Sequence, residues 1–126
     1  MKILRSLTAL FLMGLLSSCS AQDKEKVITV DELAAARSSD SSIVILDVRT
    51  APELEGSLGH IEGVIHIPLQ ELENRIEELN DFKDSQINVI CRTGRRSGVA
   101  TSILNEKGFK AKNIIGGMVE YRKKGY

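Results

Sequence analysis

The chain predicts an α/β fold of three layers, with a mainly parallel five-stranded sheet flanked by helices. Three observations carry this. Ile43 to Val48, IVILDV, is a nearly unbroken apolar, β-rich run, as in a strand covered on both faces. Helix-period segments alternate with strand-like ones along the chain. At 126 residues it has the length of one domain.

The elements follow in order. Val27 to Val30 forms the first strand, and Asp31 to Arg37 a helix that Thr29 and Glu32 cap reciprocally. Ser38 to Ser42 is a loop before the strand at 43–48. Arg49 to Gly59 is irregular, with Pro52, Gly56 and Gly59. Val64 to Ile67 is the third strand, closed by Pro68. Leu69, Leu72, Ile76 and Leu79 make an apolar helical stripe, and Glu71, Glu73, Glu77 and Glu78 its solvated face. Ile87 to Ile90 is the fourth strand. Ser97 to Lys107 is a helix stopped by Gly108, and Asn113 to Ile115 is the last strand. Gly116 and Gly117 open a final helix containing Tyr121.

The N-terminus belongs to another class of segment. Lys2 and Arg5 precede an apolar block, Leu7 to Leu16, and then Ser17, Ser18 and Cys19. A basic start, a short apolar core and small residues are the layout of a secretory signal. The block falls short of the roughly 20 residues that span a bilayer. Leu16-Ser17-Ser18-Cys19 resembles the lipobox of bacterial lipoproteins, which implies lipidation of Cys19 and a domain anchored in the bacterial cell envelope, in the periplasm or at the outer surface. The expected organisation is a signal at 1–18, a lipidated N-terminus and tether at 19–26 and a folded domain at 27–126. Removing the signal takes two basic and no acidic residues, leaving 15 against 17. A balance so near neutral offers nothing for nucleic acid.

With Cys19 lipidated, Cys91 is the only thiol remaining, so it is no internal disulfide staple. It ends the fourth strand and opens CRTGRRS. Ligands of such sheets bind beyond the carboxyl ends of the strands. Successive backbone N–H groups of a tight turn, the positive end of the next helix, and Arg92, Arg95 and Arg96 all favour a thiolate, the nucleophilic form. Gly94 permits the sharp turn. A buried structural cysteine is the plainer alternative, but it has no need of three arginines.

Several stretches together resemble the single-domain rhodanese family of sulfurtransferases. They are Leu46-Asp47-Val48-Arg49, Glu53, the Gly59-to-Pro68 run GHIEGVIHIP, Cys91-Arg92-Thr93-Gly94-Arg95-Arg96-Ser97, and Gly116-Gly117. The resemblance implies that Cys91 takes sulfane sulfur from a small anionic donor such as thiosulfate or polysulfide. The sulfur is held as a persulfide on the loop Arg92 to Ser97 and passes to a thiol or cyanide, with no metal or organic cofactor. Tyr121 stands where the family often has tryptophan, an expected adjustment of packing.

Asp47 and Arg49 are expected to support the loop by ordering it, with Arg49 opposite Glu53. His60 and His66 are read as architectural, and their spacing does not suit zinc. Two rivals remain. Related phosphatases and arsenate reductases need Cys-x5-Arg to surround a tetrahedral oxyanion, whereas Arg96 follows Cys91 after four residues and Ser97 occupies the next position. A non-catalytic binding module of this family usually lacks the cysteine.

Overall fold

The computed structural model describes residues 25–126. The signal segment, Cys19 and the tether up to residue 24 lie outside the described residues. Five strands form one sheet: β1 (Val27–Thr29), β2 (Val44–Asp47), β3 (Ile65–His66), β4 (Gln86–Ile90) and β5 (Lys110–Ile115). Their order is β1-β5-β4-β2-β3, and every pairing is parallel. The expected sheet is therefore present, and β4 is its central strand.

The apolar run 43–48 reads as it does because side chains alternate across a sheet covered on both faces. Ile45 and Ile90 point to one layer, Leu46 and Val89 to the other. The first layer buries Leu33 of helix α1 (Val30–Ser39) and Met118 and Tyr121 of the last helix, Gly117–Lys123. The opposite layer buries Leu72 and Leu79 together with Ala100 and Leu104 of the helix Arg95–Glu106. These are the outer layers of the predicted three.

Local signals were accurate where neighbours alone decide. The Thr29 hydroxyl accepts from the Glu32 N–H at 3.1 Å, and the Glu32 carboxylate accepts from the Thr29 N–H at 2.9 Å, closing the capping box of α1. Tyr121 fills its buried place with its hydroxyl accepting from Arg37 Nη1 at 3.0 Å, which ties α1 to the last helix.

Other segments differ from expectation. The irregular stretch 49–59 contains a short helix, α2 (Ala51–Leu54), at whose start the Glu53 carboxylate accepts from the Thr50 N–H and hydroxyl at 2.8 and 2.9 Å. The stripe at 69–79 is a 3-10 turn (Leu69–Glu71), one α turn, α3 (Leu72–Arg75), and a second 3-10 run (Ile76–Phe82). Its apolar residues are three apart at either end, the repeat of a 3-10 helix, and four apart only in the middle. The acids at 71, 73, 77 and 78 do face solvent. The helix expected at 97 starts earlier, as α4 (Arg95–Glu106), because Gly94 at φ 106° caps it and its carbonyl accepts the first helical bond from Gly98. Strand β5 begins three residues early, its polar Lys110 and Lys112 hiding an extended run. The last helix is α5 (Gly117–Lys123).

Replacing Thr29 by alanine removes one arm of the capping box. The expected loss is about 0.5–2 kcal/mol of unfolding free energy, read as a lower urea midpoint at unchanged slope.

Candidate active site

Cys91 lies directly beyond β4, at the carboxyl end of the central strand, and is only 1% exposed. Its Sγ accepts a hydrogen bond from the Gly94 N–H at 3.0 Å and lies 3.2 Å from the hydroxyl of fully buried Ser97. Residues 92–94 alone form the loop. Arg95, Arg96 and Ser97 are the first turn of α4, so Ser97 approaches the sulfur from a helix.

The loop is held from its far side. The N–H groups of Met118 and Val119, in α5, donate to the carbonyls of Cys91 and Arg92 at 2.9 and 3.0 Å. In a trans peptide the N–H points opposite to the carbonyl, so the amides of Arg92 and Thr93 face away from α5. This approach requires Gly117. Its φ is +58°, and a Cβ there would lie 2.5 Å from the Arg92 carbonyl oxygen and 2.6 Å from that of Cys91.

Burial pushes the Cys91 thiol up. The Ser97 hydroxyl and the N–H groups of Ser97, Gly94 and Thr93 more than offset that, and the thiol sits below its ordinary value. Ionisation of Cys91 is thus eased, chiefly by neutral donors. The three arginines matter less than expected. Arg92 and Arg95 are exposed. Arg96 is engaged by Glu53 in a bidentate pair, Nη1 to Oε2 at 2.8 Å and Nη2 to Oε1 at 2.7 Å. Arg96 does feel the charge of Cys91, after its stronger bond to Glu53.

The expected pairing of Arg49 with Glu53 is corrected. Arg49 pairs with Asp47, Nη2 to Oδ2 at 2.7 Å and Nε to Oδ1 at 3.0 Å, both side chains at most 1% exposed. A buried carboxylate needs a full partner, and Asp47 is the nearer claimant. Only the backbone carbonyl of Glu53 reaches Arg49, at 3.3 Å, and the Gly59 carbonyl accepts from its Nη2 at 2.8 Å. Asp47 and Arg49 therefore order the segment between β2 and Gly59. His66 Nε2 is 2.7 Å from the Arg49 carbonyl, and His60 Nδ1 is 3.3 Å from that of Leu54; both are tied to backbone.

A small depression of about 130 Å³ adjoins the loop, lined by Arg49, Glu53, Gly56, Ser57, Leu58 and Arg92. A wider one, about 570 Å³, lies between α1 and α5 against Asp31, Arg37, Ser38, Tyr121 and Tyr126, with no cysteine in its lining. Cys91 lines neither, and the smaller borders its loop through Arg92. Sequence reasoning missed Asn113, whose side chain reaches both Ser97 and Gly94. Its one signal is a polar residue before the apolar pair Ile114-Ile115.

The described residues from Thr29 onward match a family model almost to the end of the chain: residues 29–124 match the model of the rhodanese-like domain. The chain belongs to the rhodanese-like family. Among its relatives, YrkF of Bacillus subtilis, provisionally named a sulfur carrier protein, is 45% identical over 84 residues, covering 66% of this chain and 43% of that one. The thiosulfate sulfurtransferase PspE of Escherichia coli is 36% identical over 73 residues, 58% of this chain and 68% of PspE. The match thus spans less than half of YrkF. A crystal structure of a rhodanese-like domain protein from Staphylococcus aureus superposes with a TM-score of 0.69 at 30% identity, covering 76% of this chain and 90% of that one.

Two outcomes test this geometry. Gly117→Ala should push residues 91–92 off α5, lowering stability by about 1–3 kcal/mol in urea and slowing alkylation of Cys91. Arg96 holds the Glu53 carboxyl down at about 2, against its burial. A carboxyl depressed by folding stabilises at pH above its unfolded value, and that stability is lost as pH falls toward the folded value. Denaturant midpoints should therefore fall between about pH 4.5 and about pH 2, and less steeply in Glu53→Gln.

Proposed function

We propose that this protein is a sulfurtransferase that carries sulfane sulfur on Cys91. The observation that carries the reading is the Cys91 sulfur at the end of β4, facing the Gly94 N–H and the Ser97 hydroxyl. The Cys91 thiolate attacks the outer sulfur of thiosulfate. The new S–S bond forms as the old one breaks, and sulfite departs with the electron pair. The persulfide's terminal sulfur carries the negative charge into the cradle of loop amides. Attack by cyanide or a thiolate on that terminal sulfur then returns the Cys91 thiolate.

Family membership and the sulfurtransferase name of PspE support this reading. The loop supports sulfur over phosphate. A phosphatase of this design needs arginine where Ser97 stands, and Ser97 is fully buried with its hydroxyl 3.2 Å from the sulfur. The presence of Cys91 disfavours a purely binding module. The lipobox-like Leu16 to Cys19 supports an envelope location, with the domain tethered by lipid on Cys19.

Mass spectrometry after treatment with thiosulfate or polysulfide tests the chemistry. Cys91 should gain one sulfur atom that cyanide removes, and Cys91→Ser should gain none. A chain that stays unmodified with every sulfane donor refutes the reading, and Cys91-dependent hydrolysis of an aryl phosphate supports the phosphatase instead. For the anchor, Cys19→Ala should move the protein from the membrane to the soluble fraction; retention in the membrane refutes lipidation.

A further inference from the structure

Four hydrogen bonds close a ring around the Cys91 sulfur. The Asn113 amide Nδ2 donates to the Gly94 carbonyl at 3.1 Å, and the Gly94 N–H donates to Cys91 Sγ at 3.0 Å. Sγ lies 3.2 Å from Ser97 Oγ, which lies 2.6 Å from Asn113 Oδ1. The bond to Gly94 fixes which way the Asn113 amide faces, since the reverse would set two oxygens together. Oδ1 can only accept, so the Ser97 hydroxyl donates to it. A hydroxyl has one proton. While that proton serves Asn113, Ser97 offers Cys91 lone pairs alone, and the remaining bond is thiol S–H to Ser97 Oγ.

Ionisation removes that S–H. A thiolate would then face the Ser97 lone pairs unless the hydroxyl turns from Asn113 to the sulfur. We propose that Asn113 is a positioning residue: it holds the Ser97 proton while Cys91 is a thiol and yields it when the sulfur ionises. The role rests on Cys91 acting as the nucleophile of the sulfur-transfer reading. In that cycle the charge moves from Sγ to the terminal sulfur on persulfide formation, so the hydroxyl returns to Asn113 and turns again when the thiolate is regenerated.

The position suits the task. Asn113 sits in β5, beside β4, where its backbone N–H is bonded to the Lys26 carbonyl at 2.8 Å. Gly98 makes room for it: a Cβ there would lie 3.3 Å from Asn113 Nδ2. The charged groups around the sulfur are Arg96 of α4 with Glu53 of α2, Arg92 of the loop, and the Asp47–Arg49 pair after β2, with His66 of β3 on the Arg49 carbonyl. Among the described residues none of these hydrogen-bonds to Ser97 or Asn113. From α5 come Gly117, Met118 and Val119, all uncharged.

The test is the pH profile of iodoacetamide alkylation, read at Cys91 by peptide mass spectrometry on the full chain. The midpoint is the readout, because the limiting rate also falls as a thiol grows more acidic. Asn113→Leu frees the hydroxyl for the sulfur, so the midpoint should move to lower pH and the thiolate fraction below it rise about three- to tenfold. Asn113→Asp, an acceptor that also brings charge, should move it to higher pH. In a Ser97→Ala background, Asn113→Leu should shift nothing. Should Asn113→Leu melt early, Asn113→Ala carries the same expectation. A midpoint that stays or rises in the folded Leu or Ala variant overturns the proposal, as does an equal downward shift without Ser97. Alkylation needs no sulfur donor. Normal sulfur loading without the shifts would sink this role alone, and the shifts without loading would sink only the sulfur-transfer reading.

Discussion

The chemistry at the end of β4 depends on how closely α5 approaches residues 91 and 92. Gly117 has no Cβ, so the helix start comes near enough for Met118 and Val119 to bond the carbonyls of Cys91 and Arg92. Those bonds satisfy two donors that the first turn of a helix otherwise leaves open. They also turn the loop over, so that its amides face the side opposite the helix. A side chain at 117 would separate the two backbones, and the cradle would lose its wall.

Four of the charges around the site form two carboxylate–guanidinium pairs, Asp47 with Arg49 and Glu53 with Arg96. Asp47 and Arg49 are buried and saturate one another together with nearby backbone carbonyls, which keeps the turn after β2 rigid. Glu53 and Arg96, about a third exposed, connect α2 to the first turn of α4. Because Glu53 engages Arg96, the sulfur does not meet an open guanidinium. It meets a hydroxyl and backbone amides, which can serve a thiol, a thiolate or a persulfide without titrating themselves. Such donors stabilise charge in a site that excludes water and need little reorganisation as the charge moves.

Much of this was legible in the order of residues. The apolar runs located all five strands at least in part, since strands of a sheet covered on both faces are largely apolar. The Thr29–Glu32 capping box and the glycine stop at 108 marked helix ends correctly, because a cap is made by residues within one turn of each other. Cys91 could be placed at the end of a strand, and the four-residue gap to Arg96 could be counted. The early start of α4 was hidden, for arginine carries no boundary signal and the boundary lay in the φ of Gly94. Lys110 and Lys112 concealed half of β5, since long side chains reach solvent from a strand as easily as from a loop.

What the sequence by itself determined, then, is the layered fold, the family resemblance, the single nucleophile candidate and the spacing from Cys91 to Arg96. Each is written in neighbouring residues or in a pattern with a fixed period. Only the tertiary structure decided that Arg49 serves Asp47 and Arg96 serves Glu53, that Gly117 touches the loop, and that Asn113 shares the Ser97 hydroxyl with the sulfur. Apart from Asp47 and Arg49, which are two residues apart, these partners come from different strands and helices, and which side chains meet there depends on the parallel register of β4 and β5 and on the packing of α4 and α5 against them.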